Sequence, residues 1–197
     1  ENQDLTVLQE VRDITNTTRN TIREHLHEDY EMHESERRGR TSYKESLLFI
    51  WNKTVFDINE PMYHVEDPDD VYEREPYVVN ISQNNTWFYV VSAHTKPDDA
   101  TQEITKLLED VSSLNHSYLL IGDLNADCSY YDPGKRPVLN NTFWLLPDGA
   151  DTTVGNSHCT YDRIITNSQD LFSGYAIYDK GMQISDHYPI ATQILPR

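Results

Sequence analysis

Apolar residues fall along this chain in short dense runs, separated by acidic and hydroxylated stretches. LTVLQEV from Leu5, SLLFIW from Ser46, YVVNIS from Tyr77 and WFYVVSAHT from Trp87 are rich in β-branched and aromatic residues and bounded by polar clusters, the pattern of strands. The period then changes. In DDATQEITKLLEDVSSL, from Asp98, the residues Ile104, Leu107, Leu108 and Val111 recur at helical spacing, with Asp98 and Asp99 near the start. YLLIG, FWLL, TYDRIIT and YPIATQIL return to strand character, and TRNTIREHLHEDY is the best helix candidate in the first half. Many strands with a few helices between them predict sheets covered by helices. No repeat, low-complexity tract or Pro/Gly-rich linker interrupts the pattern, so residues 1–197 are expected to form one domain.

The longest apolar runs, LLFIW and FYVV, are far too short to cross a bilayer, and no membrane partner is expected. A chain of 197 residues with 37% hydrophobic and 11% aromatic residues can build a real core, despite a mean hydropathy of −0.69. The charge is lopsided, 33 acidic residues against 16 Lys and Arg, for a net −17. Such a surface repels polyanions and suits a protein that works with cations, which counts against nucleic acid until local chemistry says otherwise.

Asn-x-Ser/Thr sequons at Asn16, Asn52, Asn80, Asn84, Asn115 and Asn140 favour a secreted, extracellular glycoprotein. Cys128 and Cys159 are the two cysteines. They read either as free buried thiols or, under the secretory reading, as a disulfide worth about 3–4 kcal/mol in the chain-entropy model.

Polar chemistry gathers where the predicted strands end. YLLIGDLNADCSYYD sends three apolar residues into Gly122 and then presents Asp123, Asn125 and Asp127. Elsewhere LTVLQEV carries Glu10 and is followed by Arg12, WFYVVSAHT ends at His94, TYDRIIT starts beside Asp162, and Asp186 and His187 precede the last strand. Two histidines with separate carboxylates supply a general base and a general acid. Further carboxylates and an amide can hold a hard divalent cation. Hydrolysis of a phosphodiester needs all three.

In chain order, LQEVRD, GRTSYKE, REP, SAHTKPDDA, GDLNADCSY, DGADTT, CTYDRI and SDHYP resemble the secreted deoxyribonuclease I family. Gly-Asp-x-Asn and Ser-Asp-His also mark the wider endonuclease/exonuclease/phosphatase superfamily. The resemblance implies an α+β, four-layer α/β/β/α sandwich of two mainly antiparallel sheets with outer helices. It implies a monomeric endonuclease that cuts DNA with little sequence specificity to 5′-phosphorylated products, using catalytic magnesium, for which manganese can substitute, and structural calcium.

By the same resemblance His94 is the general acid, oriented by Glu45, and His187 the general base, oriented by Asp162. Glu10, Asp123, Asn125 and Asp186 form the metal- and phosphate-binding group. Arg12 and Tyr43 enter the minor groove, Arg40 and Arg74 lie near the DNA backbone, and Cys128 pairs with Cys159. Calcium is expected at Asp151 and Thr153, and a second ion at Asp70 and Glu75.

Departures from the family accompany these matches. The family's first strand and helix have no counterpart ahead of LTVLQEV, so an N-terminally incomplete sandwich, short of one metal ligand, is expected. The segment matching the actin-binding strand is Met32-His33-Glu34, whose charge makes actin a poor partner. Two alternatives compete with the nuclease: an inactive secreted calcium- or DNA-binding glycoprotein on the same scaffold, and a phosphatase or sphingomyelinase of the same superfamily.

Overall fold

The computed structural model describes residues 3–179 and 185–195. In chain order its main elements are β1 (Leu5–Val11), α1 (Thr17–His25), β2 (Tyr30–Glu34), β3 (Ser46–Asn52), β4 (Asp57–His64), β5 (Tyr77–Gln83), β6 (Thr86–Ser92), α2 (Ala100–Ser112), β7 (Ser117–Asp123), β8 (Phe143–Trp144), β9 (Asp162–Thr166), β10 (Phe172–Ile177) and β11 (Ile190–Ile194). The apolar runs became strands, although FWLL contributes only its first two residues. β2 takes in Met32-His33-Glu34, the segment matched to the family's actin-binding strand, whereas β4 and β10 add to the expected strands. DINEPMYH lies on a sheet edge, where charge is tolerated and useful, and its polarity hides it.

Six strands in the order β4-β5-β6-β7-β9-β8 form the central sheet, antiparallel except where β6 runs parallel to β7. A parallel pair needs a crossover, and α2 supplies it. Both faces of this sheet are buried, which explains why its strands read as nearly continuous apolar runs. Val78, Val91, Tyr118, Leu120 and Ile165 face one way and pack with Ala100, Ile104, Leu107, Leu108 and Val111 of α2. Their neighbours Val79, Val90, Leu119 and Ile164 face the other way and join Leu47, Phe49 and Trp51 of β3 and Phe172 of β10. Alternation along each strand thus divides the side chains between two cores.

Beyond the second core the opposing layer comes in two pieces, a sheet β1-β3-β2 and a ribbon β10-β11. Leu5, Val7, Ile177, Ile190 and Ile194 pack from both pieces onto the shared core, giving a sandwich of mainly antiparallel sheets. The helical layers are unequal, since α2 buries a full stripe whereas α1 buries no residue. α1 is instead pinned by Asp13, whose carboxylate accepts from the backbone N–H of Thr17 and of Arg19, both at 3.0 Å.

Candidate active site

Sheet register brings the polar strand ends together. Asp123, the last residue of β7, pairs with Asp162, the first of β9, and the N–H of Thr95 donates to Asp123 O at 3.1 Å as the chain leaves β6. His94, Asp123 and Asp162 therefore share one edge. The two layers are laced together beneath them by Gln9 of β1, a residue that the sequence reading passed over. Its Nε2 donates to Ala93 O (2.8 Å) and Ser92 Oγ (3.1 Å), and its Oε1 accepts from Asp123 N at 2.8 Å. This lacing is why Gly122 precedes the acidic tip. A Cβ there would sit 2.1 Å from Ala93 O and 2.5 Å from Gln9 Nε2, at a φ of +148°.

Glu10 follows Gln9 in a bulge, where the β1–β3 register shifts between Leu8 and Val11 and Glu10 adopts φ 56°. Bulges redirect side chains. Here Glu10 Oε1 reaches to 3.9 Å from His94 Nε2. Glu45, only 3% exposed, is set by reciprocal backbone hydrogen bonds with Arg38 just before β3.

Each imidazole is held at Nδ1 by its own carboxylate. Glu45 binds Nδ1 of His94, and Asp162 Oδ2 lies 2.7 Å from Nδ1 of His187. His187 itself is anchored through the flanking bonds Val154 N to Asp186 O and Tyr188 N to Thr152 O, each 2.8 Å. Both Nε2 atoms approach one oxygen, Asp123 Oδ2, at 3.7 Å. Burial depresses His94, but the Glu45 hydrogen bond and charge, with Asp123, outweigh it and leave the ring above its ordinary pKa. His187 is raised to about 9, first by its bond to Asp162 and, against burial, by the charges of Asp162, Asp123 and Asp186. Asp123 rises to about 6 through burial and the Asp162 charge, despite both imidazoles. This cluster therefore holds protons tightly.

That surplus of negative charge suits a divalent cation. Glu10 and Asp123 bring carboxylate oxygens to the same His94 nitrogen, a hard-oxygen pair of the kind a divalent cation takes. Among the described residues no group of three or more His, Cys, Asp or Glu forms a closed metal cage. Asn125 commits its amide nitrogen to Thr95 O at 2.9 Å, which leaves its oxygen as the atom a cation would use. Asp186 is exposed beside His187. The loop that follows Asn125 is fixed to the segment entering β9 by the Cys128–Cys159 disulfide and by Asp127 Oδ2, which accepts from Thr160 N at 2.7 Å.

The remaining predicted residues divide. Tyr43 is 65% exposed, and the Arg12 guanidinium lies over its ring at 5.4 Å, so the two form a projecting lip next to Glu10. Arg74, expected beside the DNA backbone, has its Nε 2.9 Å from Glu45 Oε1 and its side chain 17% exposed. Arg40 is held by the acidic loop, its guanidinium 3.1 Å from Asp70 Oδ1. Asp70 and Glu75, expected to share an ion, face separate arginines, Arg40 and Arg38. At the other expected calcium loop, Asp151 receives Thr153 N (3.0 Å), Thr153 Oγ1 (2.9 Å) and His158 Nδ1 (2.8 Å).

Comparison with known proteins follows the same direction. The chain is 33% identical to bovine deoxyribonuclease-1 over 224 residues, spanning 95% of this chain and 79% of that protein. Identity to human deoxyribonuclease-1 is 32% over 227 residues, spanning 97% and 80%. No protein-family model matches. Among solved structures, a humanized D. rerio TDP2 superposes with a TM-score of 0.74 at 14% identity, over 95% of this chain and 83% of that one. An endonuclease/exonuclease/phosphatase family protein from Leptotrichia buccalis gives 0.65 at 17% identity, over 98% and 87%.

Proposed function

Because this chain belongs to the deoxyribonuclease I family and is thereby a DNA-hydrolysing enzyme, we propose that it is a divalent-cation-dependent endonuclease with His94 as general acid and His187 as general base. The observation that carries this reading is the convergence of two carboxylate-backed imidazoles on one Asp123 oxygen.

Nδ1 of each ring is taken by a carboxylate, so Nε2 is the atom left to exchange a proton with substrate. The Glu45 bond and the neighbouring charges favour the protonated form of His94, the form that can protonate the departing 3′ oxygen. His187 must be neutral to take a proton from water, and Asp123, Asp162 and Asp186 oppose that. A magnesium ion held by Glu10 and Asp123, with Asn125 and Asp186 beside them, would neutralise phosphate charge and relieve the field that keeps His187 protonated. Breaking the P–O3′ bond leaves the phosphate on the 5′ side. Arg12 and Tyr43 are suited to the minor groove, a contact that reads shape more than sequence.

An oxidising, extracellular setting is proposed on the disulfide and the six sequons. Supercoiled plasmid incubated with magnesium and calcium tests the activity. The chain is expected to nick and then linearise the plasmid, and His187→Ala to lose about 10²- to 10⁴-fold in rate. Undiminished cutting by His187→Ala would remove the mechanism. A folded chain that binds DNA and never cuts would favour a binding protein on the same scaffold.

A further inference from the structure

We propose that Glu103, on α2, is a positioning residue for the general acid: it fixes the segment bearing Arg74 against the segment bearing His94, two side chains that share Glu45. This rests on the nuclease reading above.

Glu103 occupies the apolar stripe of α2. Its companions are Ala100, Ile104, Leu107, Leu108 and Val111, and at 1% exposure it is as buried as they are. A carboxylate is out of place on such a stripe unless its partners require it. The partners are backbone donors from two different loops. Oε1 accepts from Glu73 N at 3.2 Å and from Lys96 N at 3.3 Å.

Those two amides flank the acid dyad. Arg74 follows Glu73, and its guanidinium meets both Glu45 Oε1 (Nε, 2.9 Å) and His94 O (Nη1, 3.4 Å). Lys96 lies two residues beyond His94, whose Nδ1 binds that same Glu45 oxygen. A closed circuit results, running Glu103, Lys96, His94, Glu45, Arg74, Glu73 and back. Removing Glu103 opens it at α2.

Tyr72 anchors the same loop elsewhere on α2, its hydroxyl 2.7 Å from Asp110 Oδ2. The loop therefore stays attached without Glu103, and the specific loss is the spacing between Arg74 and His94. Burial pushes Glu103 up to about 7, offset by the two amides and Arg74 and reinforced by Asp99, so the joint is also sensitive near neutral pH.

The test compares Glu103→Ala, Glu103→Leu and Glu103→Gln by steady-state kinetics on DNA and by NMR titration of the His94 ring. Leucine suits the buried stripe but accepts no hydrogen bond, so Glu103→Leu separates packing from positioning. We expect Glu103→Leu to fold, to lose about 10- to 100-fold in kcat with little change in KM, and to shift the titration of His94, because a small misplacement of a reacting group is costly and the Arg74 charge and the Glu45 bond both act on that ring. Glu103→Ala should follow it. Glu103→Gln, which restores an acceptor, should recover most of kcat.

Wild-type kcat and an unmoved His94 titration in folded Glu103→Leu would overturn the proposal. So would rate losses in step with the unfolded fraction, or failure of both Leu and Ala variants to fold. The titration needs no turnover. A chain that never cuts DNA, yet whose His94 titration shifts in Glu103→Leu, would defeat the nuclease reading while showing that Glu103 positions His94.

Discussion

His94 and His187 present their Nε2 atoms to the same oxygen, Asp123 Oδ2, each at 3.7 Å. The rings come from distant parts of the chain, one at the end of β6 and the other beside β11. Neither their own strands nor any local motif sets the distance. It is set by the pairing of Asp123 with Asp162, because Asp123 meets both rings while Asp162 grips His187.

The first prediction concerns that grip. Asp162→Asn removes the largest cause of the raised His187 pKa, so the ring should titrate well below about 9. The amide also favours the wrong tautomer, and kcat should fall by about 10²- to 10⁴-fold. NMR titration of the ring in chelator, with kinetics in magnesium, checks both. An unchanged titration would show that Asp162 does not hold His187.

A second prediction is the pH dependence of stability without divalent ions. Asp123 at about 6, Glu103 at about 7 and His187 at about 9 all lie above their ordinary values. Each binds its proton more tightly folded than unfolded. The stability each contributes is fully present below its unfolded pKa and is lost as pH rises through the folded one. Thermal melts in chelator should therefore show a melting temperature that falls between pH 5 and 9. Asp13, Asp127 and Asp151 are lowered and act oppositely, losing their contribution only in stronger acid. A melting temperature climbing steadily from pH 5 to 9 would contradict the account.

The third prediction separates binding from chemistry. Arg12 and Tyr43 stand together at the exposed lip, where Arg12 lies 3.7 Å from Glu10 Oε2 and 4.0 Å from Glu45 Oε2. Arg12→Ala should act mainly on KM and lower the slope of log affinity against log salt by about 1, the signature of one lost phosphate contact. A selective loss of kcat with an unaltered salt slope would place Arg12 in the chemistry instead.

Much of this site was legible in the sequence because its residues sit in short motifs at strand ends. Glu45, His94, Asp123, Asp162 and His187 could be named from GRTSYKE, SAHT, GDLN, YDRI and SDHYP. What could not be read were contacts between motifs. Gln9 looks like an ordinary strand amide until the other sheet is placed beneath it. Nothing in REP reveals that Arg74 lies 2.9 Å from Glu45. Nor does the acidic loop reveal that Asp70 faces Arg40 and Glu75 faces Arg38. Edge strand β4 failed for a simpler reason, in that DINEPMYH shows neither strong alternation nor an apolar run.

A fourth prediction tests the lacing. Gly122→Ala puts a methyl group onto Ala93 O and Gln9 Nε2. The variant should lose about 2–4 kcal/mol in urea unfolding, as a clash with backbone gives in a packed site. Wild-type stability would mean that the two layers can separate there at little cost.

The acid and base assignments are separated most directly by changing the leaving group. Thymidine 5′-(p-nitrophenyl phosphate) offers nitrophenolate in place of the 3′ oxygen, and this leaving group needs no proton. On that ester His94→Ala should regain most of its lost kcat/KM relative to wild type, while His187→Ala should stay down by about 10²-fold or more, as on DNA. Equal losses for His94→Ala on the ester and on DNA would contradict its role as the proton donor.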